Sequence, residues 1–423
     1  MSGARGLDEA RLADGVPTSG EAKASSGETT QSRARAVAYV DTDAIAHNCG
    51  RLLAELDGAV LCAVVKADGY GHGAARCAHA ALGAGAGWLA VATVDEAQEL
   101  REAGIEAPIL IMGALSGEDE LERAIELRAD IVVWHERSVA LAGEAAARMS
   151  ARVRVHVKLD TGMGRLGTRD EAEASRAVAA AYAHPAVQPI GVMTHFATAD
   201  IREDDGFYAR QLGAFVAWAG RVKAEHPELI AHAANSAALL RDPDNARLDM
   251  ARCGIAVYGL DPFGEDAYAH DLRPALELRS YLAEVKPCRV GESTGYGRRY
   301  IAARDTHLGV LPIGYGDGWR RALSNNADVL IDGARLPLVG TVSMDNVAVD
   351  LGPDPRALEL CGAEAVLIGS SGAQRIAAEE LAGRMDTINY EITCGLSARV
   401  PRVDRSSISS PGSYGGAFVK GQR

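Results

Sequence analysis

No apolar run in this chain approaches the roughly 20 residues needed to span a bilayer; stretches such as 59–65 and 131–134 stop far short. A membrane partner is therefore not expected. Aromatic residues are scarce, at 5% of the total, which argues against a stacking surface for bases. Positive charge is outnumbered: 44 Lys and Arg stand against 57 Asp and Glu, and a net charge of -13 would repel a phosphate backbone. Nucleic acid is not an expected partner either. The seven cysteines (Cys49, Cys62, Cys77, Cys253, Cys288, Cys361 and Cys394) are scattered and never spaced as a CxxC pair. Their pattern suggests no metal centre and fits a reducing cytoplasm. Residues 1–35 lack the apolar segment of a secretory signal and read as a disordered extension. The Ser- and Gly-rich end at 406–423 reads as a flexible tail.

What the chain does have, from 36 to 276, is an alternation of short apolar stretches with longer Ala-, Glu- and Arg-rich ones. Candidate strands fall at 61–65, 88–92, 109–111, 131–133, 153–158 and 190–193, with two more before Asn235 and before Gly254. Intervening stretches such as 94–103 and 118–128 carry apolar residues at helical spacing. Strand and helix repeated about eight times over some 240 residues predict an α/β fold, a TIM (β/α)8 barrel rather than an open doubly wound sheet. Beyond Arg273-Pro274 the texture changes. Residues 277–405 are richer in Val, Gly and Pro, with β-like runs at 278–285, 308–311, 328–331 and 347–350 and helical character near 377–385. They predict a second, mostly-β domain. Gly83, Gly85 and Gly87 superficially suggest a dinucleotide loop, but the preceding strand and following acid are missing.

Chemistry is first signalled at Ala63-Val64-Val65-Lys66-Ala67-Asp68-Gly69-Tyr70-Gly71-His72-Gly73. Lys66 ends an apolar strand and precedes a Gly-rich turn, so it would sit at the C-terminal mouth of the barrel, where such folds keep reacting groups. Desolvation there lowers a lysine pKa and favours the free amine that attacks an aldehyde. A surface lysine at a strand end is the plainer alternative for this residue alone.

The segment AVVKADGYGHG resembles the pyridoxal-phosphate lysine motif of alanine racemases. Further segments resembling that family follow in order: KLDTGMGRLG (158–167), THFATAD (194–200), HAANSAA (232–238), ARCGIAVYGL (251–260), GYGRRY (295–300), IGYGDG (313–318), VSMDN (342–346) and INYEITC (388–394). The resemblance implies pyridoxal 5'-phosphate at the barrel mouth, a small amino-acid substrate, and a head-to-tail homodimer with shared active sites. It further implies that L- and D-alanine are interconverted by two bases, supplying D-alanine for peptidoglycan. A broad-specificity racemase of the same fold is the alternative. A barrel-type decarboxylase would put an acid where Arg252 stands and a glycine-rich phosphate loop where Ser236 stands.

By that resemblance, Lys66 is the cofactor-bonding lysine and the base acting on the D-enantiomer. Tyr296, from the partner subunit, is the base acting on the L-enantiomer. A phenol is a poor base at neutral pH unless cations or hydrogen-bond donors stabilise its phenolate, and His195 matches the residue that supports it. Arg252 matches the arginine facing the pyridine nitrogen; its guanidinium donates a hydrogen bond without readily losing its proton. Tyr70, Ser236, Gly254, Ile255 and Tyr390 match phosphate-binding positions. Arg165 and the Met344 backbone match contacts to the substrate carboxylate, and Tyr315 an entrance residue from the other subunit. Lys158 matches a lysine that is carbamylated in some members and orients Arg165. Plainer readings stand beside these: His195 as a satisfied buried histidine, Ser236 as a helix cap, Gly254 as a turn glycine, Lys158 paired with Asp160 or another acid. The sequence departs from the family at Ser343, where some relatives carry cysteine, at Glu292-Ser293-Thr294-Gly295, and at the insertion-like Gly395-Leu396-Ser397.

Overall fold

The computed structural model describes residues 34–115 and 117–407. The expected extension at 1–35 and tail at 406–423 lie almost wholly outside them. The chain enters through strand β1 (Val37–Val40) and helix α1 (Thr42–Leu56). Asp41 caps that helix by accepting from the Ala44 N–H at 2.9 Å. Ile45, Cys49, Leu52 and Leu56 recur at helical spacing on its buried face. Full burial stabilises each of the large aliphatics by roughly 2 kcal/mol.

Eight parallel strands then close a barrel: β2 (Val60–Val64), β3 (Trp88–Val91), β4 (Ile109–Ile111), β5 (Asp130–Val133), β6 (Val153–Lys158), β7 (Val187–Met193), β8 (Ile230–His232) and β9 (Met250–Cys253). The last pairs back onto the first, Cys62 opposite Arg252 and Ala63 opposite Cys253. These are the eight stretches expected from the sequence, with ends shifted by a few residues. In β6 the period of two is plain. Val153, Val155 and Val157 are buried against the outer layer, while Arg154, His156 and Lys158 point into the barrel. The interior of this barrel is therefore partly polar, where such barrels are more often filled with branched aliphatics.

The second domain is built on a sheet ordered Glu284–Cys288, Thr306–Leu311, Val347–Gly352, Ala334–Val339, Asp328–Ile331, Glu364–Ser371, Leu276–Tyr281, β1 and Arg402–Asp404. Two expectations need correction. The run at 278–285 is not one strand but parts of two. Leu276–Tyr281 pairs with Glu364–Ser371, and after Leu282 the chain changes partners so that Glu284–Cys288 pairs with Thr306–Leu311. Likewise residues 37–40, inside the 36–276 span expected for the barrel, form β1, which belongs to the second sheet. It pairs antiparallel with Leu276–Tyr281 and parallel with Arg402–Asp404. No helix among the described residues is long and apolar enough to cross a membrane.

Candidate active site

At the C-terminal mouth of the barrel lies a cavity of about 390 Å³. Of the residues singled out in the sequence, Lys66, Tyr70, Lys158, Arg165, His195, Ser236, Arg252, Gly254, Ile255 and Tyr390 all line it. Tyr296, Tyr315 and Met344 do not. They gather on the second domain instead, 75%, 44% and 52% exposed. The Tyr315 N–H donates to the Ser343 carbonyl at 3.0 Å and the Gly316 N–H to that of Met344 at 2.9 Å. Thr341 Oγ1 donates to the Tyr296 carbonyl at 2.7 Å.

Lys66 follows β2 and begins an unusual turn. Ala67, Asp68, Gly69 and Tyr70 all have left-handed backbone angles, with φ of 53°, 52°, 59° and 53°. For residues with a Cβ this costs roughly 1–2 kcal/mol each. Fixed partners hold the turn in place. Glu96 accepts from the Ala67 N–H at 2.7 Å and, through its other oxygen, from the Ala92 N–H at 2.7 Å. Asp68 Oδ1 accepts from the Ala74 N–H at 2.9 Å, and the buried His72 ring donates from Nδ1 to the Gly69 and Tyr70 carbonyls. The sequence reading missed this clamp, because four consecutive left-handed residues have no compositional signature. Gly71 then passes so close to Thr393 that a Cβ would sit 2.1 Å from its carbonyl oxygen. That approach brings helix Asn389–Cys394 against the turn, with the Tyr390 ring 5.9 Å from Tyr70.

Ser236 does not cap its helix. Asn235 does so, by accepting from the Ala238 N–H at 2.9 Å. The Ser236 hydroxyl is free to accept from the N–H groups of Gly254 at 3.1 Å and Ala256 at 3.3 Å. Arg165 is carried on a loop that Asp160 organises, accepting from the Gly162 and Gly164 N–H groups at 3.0 and 2.9 Å. With its carboxylate so engaged, Asp160 forms no ion pair with Lys158, and neither does any other described acid. Lys158 is 4% exposed. Burial first, then Arg252 and Arg165, lower its pKa to about 8. Lys66 is also held below the ordinary lysine value, mainly by burial and then by Arg165.

Arg252 is buried and donates from Nη2 to the Thr194 carbonyl at 2.7 Å and to His195 Nδ1 at 3.3 Å. An arginine has no acceptor, so His195 accepts at Nδ1 and carries its proton on Nε2. Burial and the Arg252 charge hold the His195 pKa well below the usual imidazole value, which keeps the ring neutral. Burial lowers that of Arg252 only to about 10, so it stays charged at neutral pH. One wall of the cavity thus supplies an amine, its floor a cation, and its rim hydroxyls and backbone N–H groups suited to an anion.

Residues 40–262 match the family model for the alanine racemase N-terminal domain, and residues 275–404 that for the C-terminal domain. An alanine racemase of Symbiobacterium thermophilum is 45% identical over 368 residues, covering 86% of this chain and 96% of the relative. One from Desulfovibrio desulfuricans is 40% identical, covering 86% and 97%. Among solved structures, alanine racemase from the D-cycloserine-producing Streptomyces lavendulae superimposes with a TM-score of 0.82 at 38% identity, covering 88% of this chain and 98% of that one. With both domains matched along nearly the whole described length, the chain belongs to the alanine racemase family.

Proposed function

We propose that this chain interconverts L- and D-alanine with pyridoxal 5'-phosphate, and that two copies complete each other's active sites. The observation that carries the reading is a division of labour. The amine of Lys66 lines the barrel cavity, whereas the phenol of Tyr296 lies exposed on the second domain. Inverting a carbon requires proton removal on one face and delivery on the other, so a second base has to reach the cavity from elsewhere. A neighbouring copy presenting its own Tyr296, Tyr315 and Met344 supplies it. A two-fold dimer satisfies both copies at once.

The cavity residues fit the cofactor. Its volume lies in the usual range for a small-molecule site, and hydroxyls of Tyr70, Ser236 and Tyr390 meet the backbone of Gly254 and Ile255 where a phosphate would be held. When bound, pyridoxal phosphate supplies an aldehyde that bonds amines and a ring that stabilises negative charge on an adjacent carbon. Lys66 Nζ, its proton affinity lowered by burial, is the free amine for that bond and the proton carrier on one face. Tyr296 Oη of the neighbouring copy carries the proton on the other. His195 Nε2–H is the donor available to steady the phenolate. Arg252 would hold the ring nitrogen by donating a hydrogen bond without surrendering its own proton, which would limit the negative charge drawn into the ring and disfavour side reactions such as transamination. Arg165, which has no ion-pair partner among the described residues, suits the alanine carboxylate.

Lys158 fits a carbamate: its amine is buried, unpaired and close enough to Arg165 and Arg252 to feel both charges. The added negative charge would orient Arg165. The biological role that follows is supply of D-alanine for peptidoglycan, in the cytoplasm. The decisive assay is chiral chromatography of L-alanine, L-serine, L-lysine and L-arginine incubated with the purified chain, with and without pyridoxal phosphate. Cofactor-dependent racemisation of alanine well above the others is expected; equal turnover of all four would favour the broad-specificity alternative, and none would reject the reading.

A further inference from the structure

Below the cavity, Arg252, His232, His156 and Asp130 form a chain of hydrogen bonds inside the barrel. Arg252 forms no ion pair with any described acid. It donates from Nη1 to His232 Nδ1 at 2.9 Å and to the His232 carbonyl at 3.0 Å. Because arginine can only donate, His232 Nδ1 must accept, and the His232 proton sits on Nε2. That atom is 2.9 Å from His156 Nδ1. His156 therefore also accepts at Nδ1, and its own proton on Nε2 faces Asp130 Oδ2 at 3.1 Å. Each protonation state follows from the one before, and the chain ends on a carboxylate that accepts.

Asp130 opens β5, at the rim opposite the cavity, and is 1% exposed. Arg154 braces it from the neighbouring strand, Nε to Oδ1 at 2.6 Å and Nη2 to Oδ2 at 3.2 Å. Trp88 lies edge-on to His156, ring centroids 5.4 Å apart. Burial and the Arg252 charge keep the His232 ring neutral. With both Nη groups engaged by His232, Thr194, Ala233 and His195, the Arg252 Nε is the guanidinium donor left without a partner among the described residues.

We propose that Asp130 and His156 are positioning residues for the reaction: the one-way relay Arg252 to His232 to His156 to Asp130 fixes the guanidinium so that Nε serves the cofactor ring nitrogen. This rests on the functional reading above. A carboxylate directly on Arg252 would neutralise the charge facing the cavity. Two interposed neutral imidazoles orient the arginine and polarise its bonds while leaving that charge in place.

The test is long-range nitrogen–proton spectroscopy on the full chain labelled with 15N-histidine, with and without pyridoxal phosphate. His156 and His232 should both be neutral and protonated at Nε2 in either sample. Asp130→Leu should move the His156 Nε2–H signal upfield and, through it, that of His232. The same variant should lower kcat about tenfold, the scale seen when outer partners of a site are removed, with KM changed less than about twofold. Asp130→Asn, which retains an acceptor, should recover most of the rate. A proton on His232 Nδ1, an imidazolium at either position, or a folded Asp130→Leu variant with an unmoved His232 signal or undiminished kcat overturns the proposal. If the leucine variant does not fold, the wild-type protonation states decide. Because they are read without cofactor, failure to bind pyridoxal phosphate would remove the functional reading and leave the relay standing. Wrong protonation states in an active racemase would remove the relay alone.

Discussion

Gly254 and Tyr70 occupy one space: a Cβ built on Gly254 would lie 2.2 Å from the Tyr70 hydroxyl and 2.8 Å from the ring carbon that bears it. Tyr70 is itself packed on Tyr258, ring centroids 4.9 Å apart, so it has little room to retreat. Gly254→Ala should therefore displace the hydroxyl and weaken pyridoxal phosphate binding about tenfold, or about 1.4 kcal/mol. Titration of the cofactor's visible absorption measures this directly, and an unchanged Kd would show that the two residues do not constrain each other.

The left-handed turn after Lys66 makes a prediction opposite in sign to the usual one. Ala to Gly within a helical segment ordinarily destabilises by roughly 0.5–1 kcal/mol. Ala67 has a φ of 53° and is exposed, so removing its Cβ relieves strain without opening a cavity. Ala67→Gly should stabilise the protein by up to about 1 kcal/mol in urea unfolding. The ordinary loss would mean the turn is not left-handed.

Shared sites can be tested by mixing. Lys66→Ala should abolish the borohydride-reducible cofactor linkage, and Tyr296→Phe should slow deuterium exchange from L-alanine more than from D-alanine. Each variant alone should be nearly inactive in racemisation. After unfolding and refolding together, half of the dimers would be mixed, each with one intact and one doubly altered site, giving about a quarter of wild-type activity. No recovery on mixing, despite dimers of mixed composition, would place both bases within one chain.

Lys158 ties pH to two measurements. Its folded pKa of about 8 lies below the ordinary 10.5. The unfolded chain therefore binds more protons between those values, and stability relative to Lys158→Met should rise as pH increases from 8 to 10.5. In the carbamate proposed for Lys158, the same free amine would add carbon dioxide, forming a nitrogen–carbon bond and releasing one proton. With 13C-bicarbonate, a carbamate resonance should grow as pH passes 8 and be missing from Lys158→Met. Its absence from the wild type would leave Lys158 as an unmodified amine.

Much of the barrel was legible because its strands are short apolar blocks separated by long amphipathic stretches, as at 109–111 and 131–133. The cavity residues were legible for another reason: motifs such as KLDTGMGRLG resemble those of the alanine racemase family, and the site residues were read from that resemblance. The relay was not. Asp130, His156, His232 and Arg252 lie on β5, β6, β8 and β9, and they meet only when the barrel closes. The alternation in Val153-Arg154-Val155-His156-Val157-Lys158 was the available hint, since a half-polar strand in a barrel has to find partners across the interior. Nor could local pattern reveal that 278–285 changes pairing partners after Leu282, because both halves have the same apolar texture.

The placement of β1 has a consequence for dissecting this protein. Within the described residues the chain runs from the second sheet (β1) into the barrel and returns, so two peptide crossings rather than one connect the domains. A fragment cut near residue 275 would carry Val37–Val40 away from its sheet, exposing unpaired N–H and C=O groups on both pieces. Separately expressed halves should therefore aggregate, and joining 34–41 directly to 275 through a short turn, as the antiparallel pairing of β1 with Leu276–Tyr281 allows, is the better route to an isolated second domain.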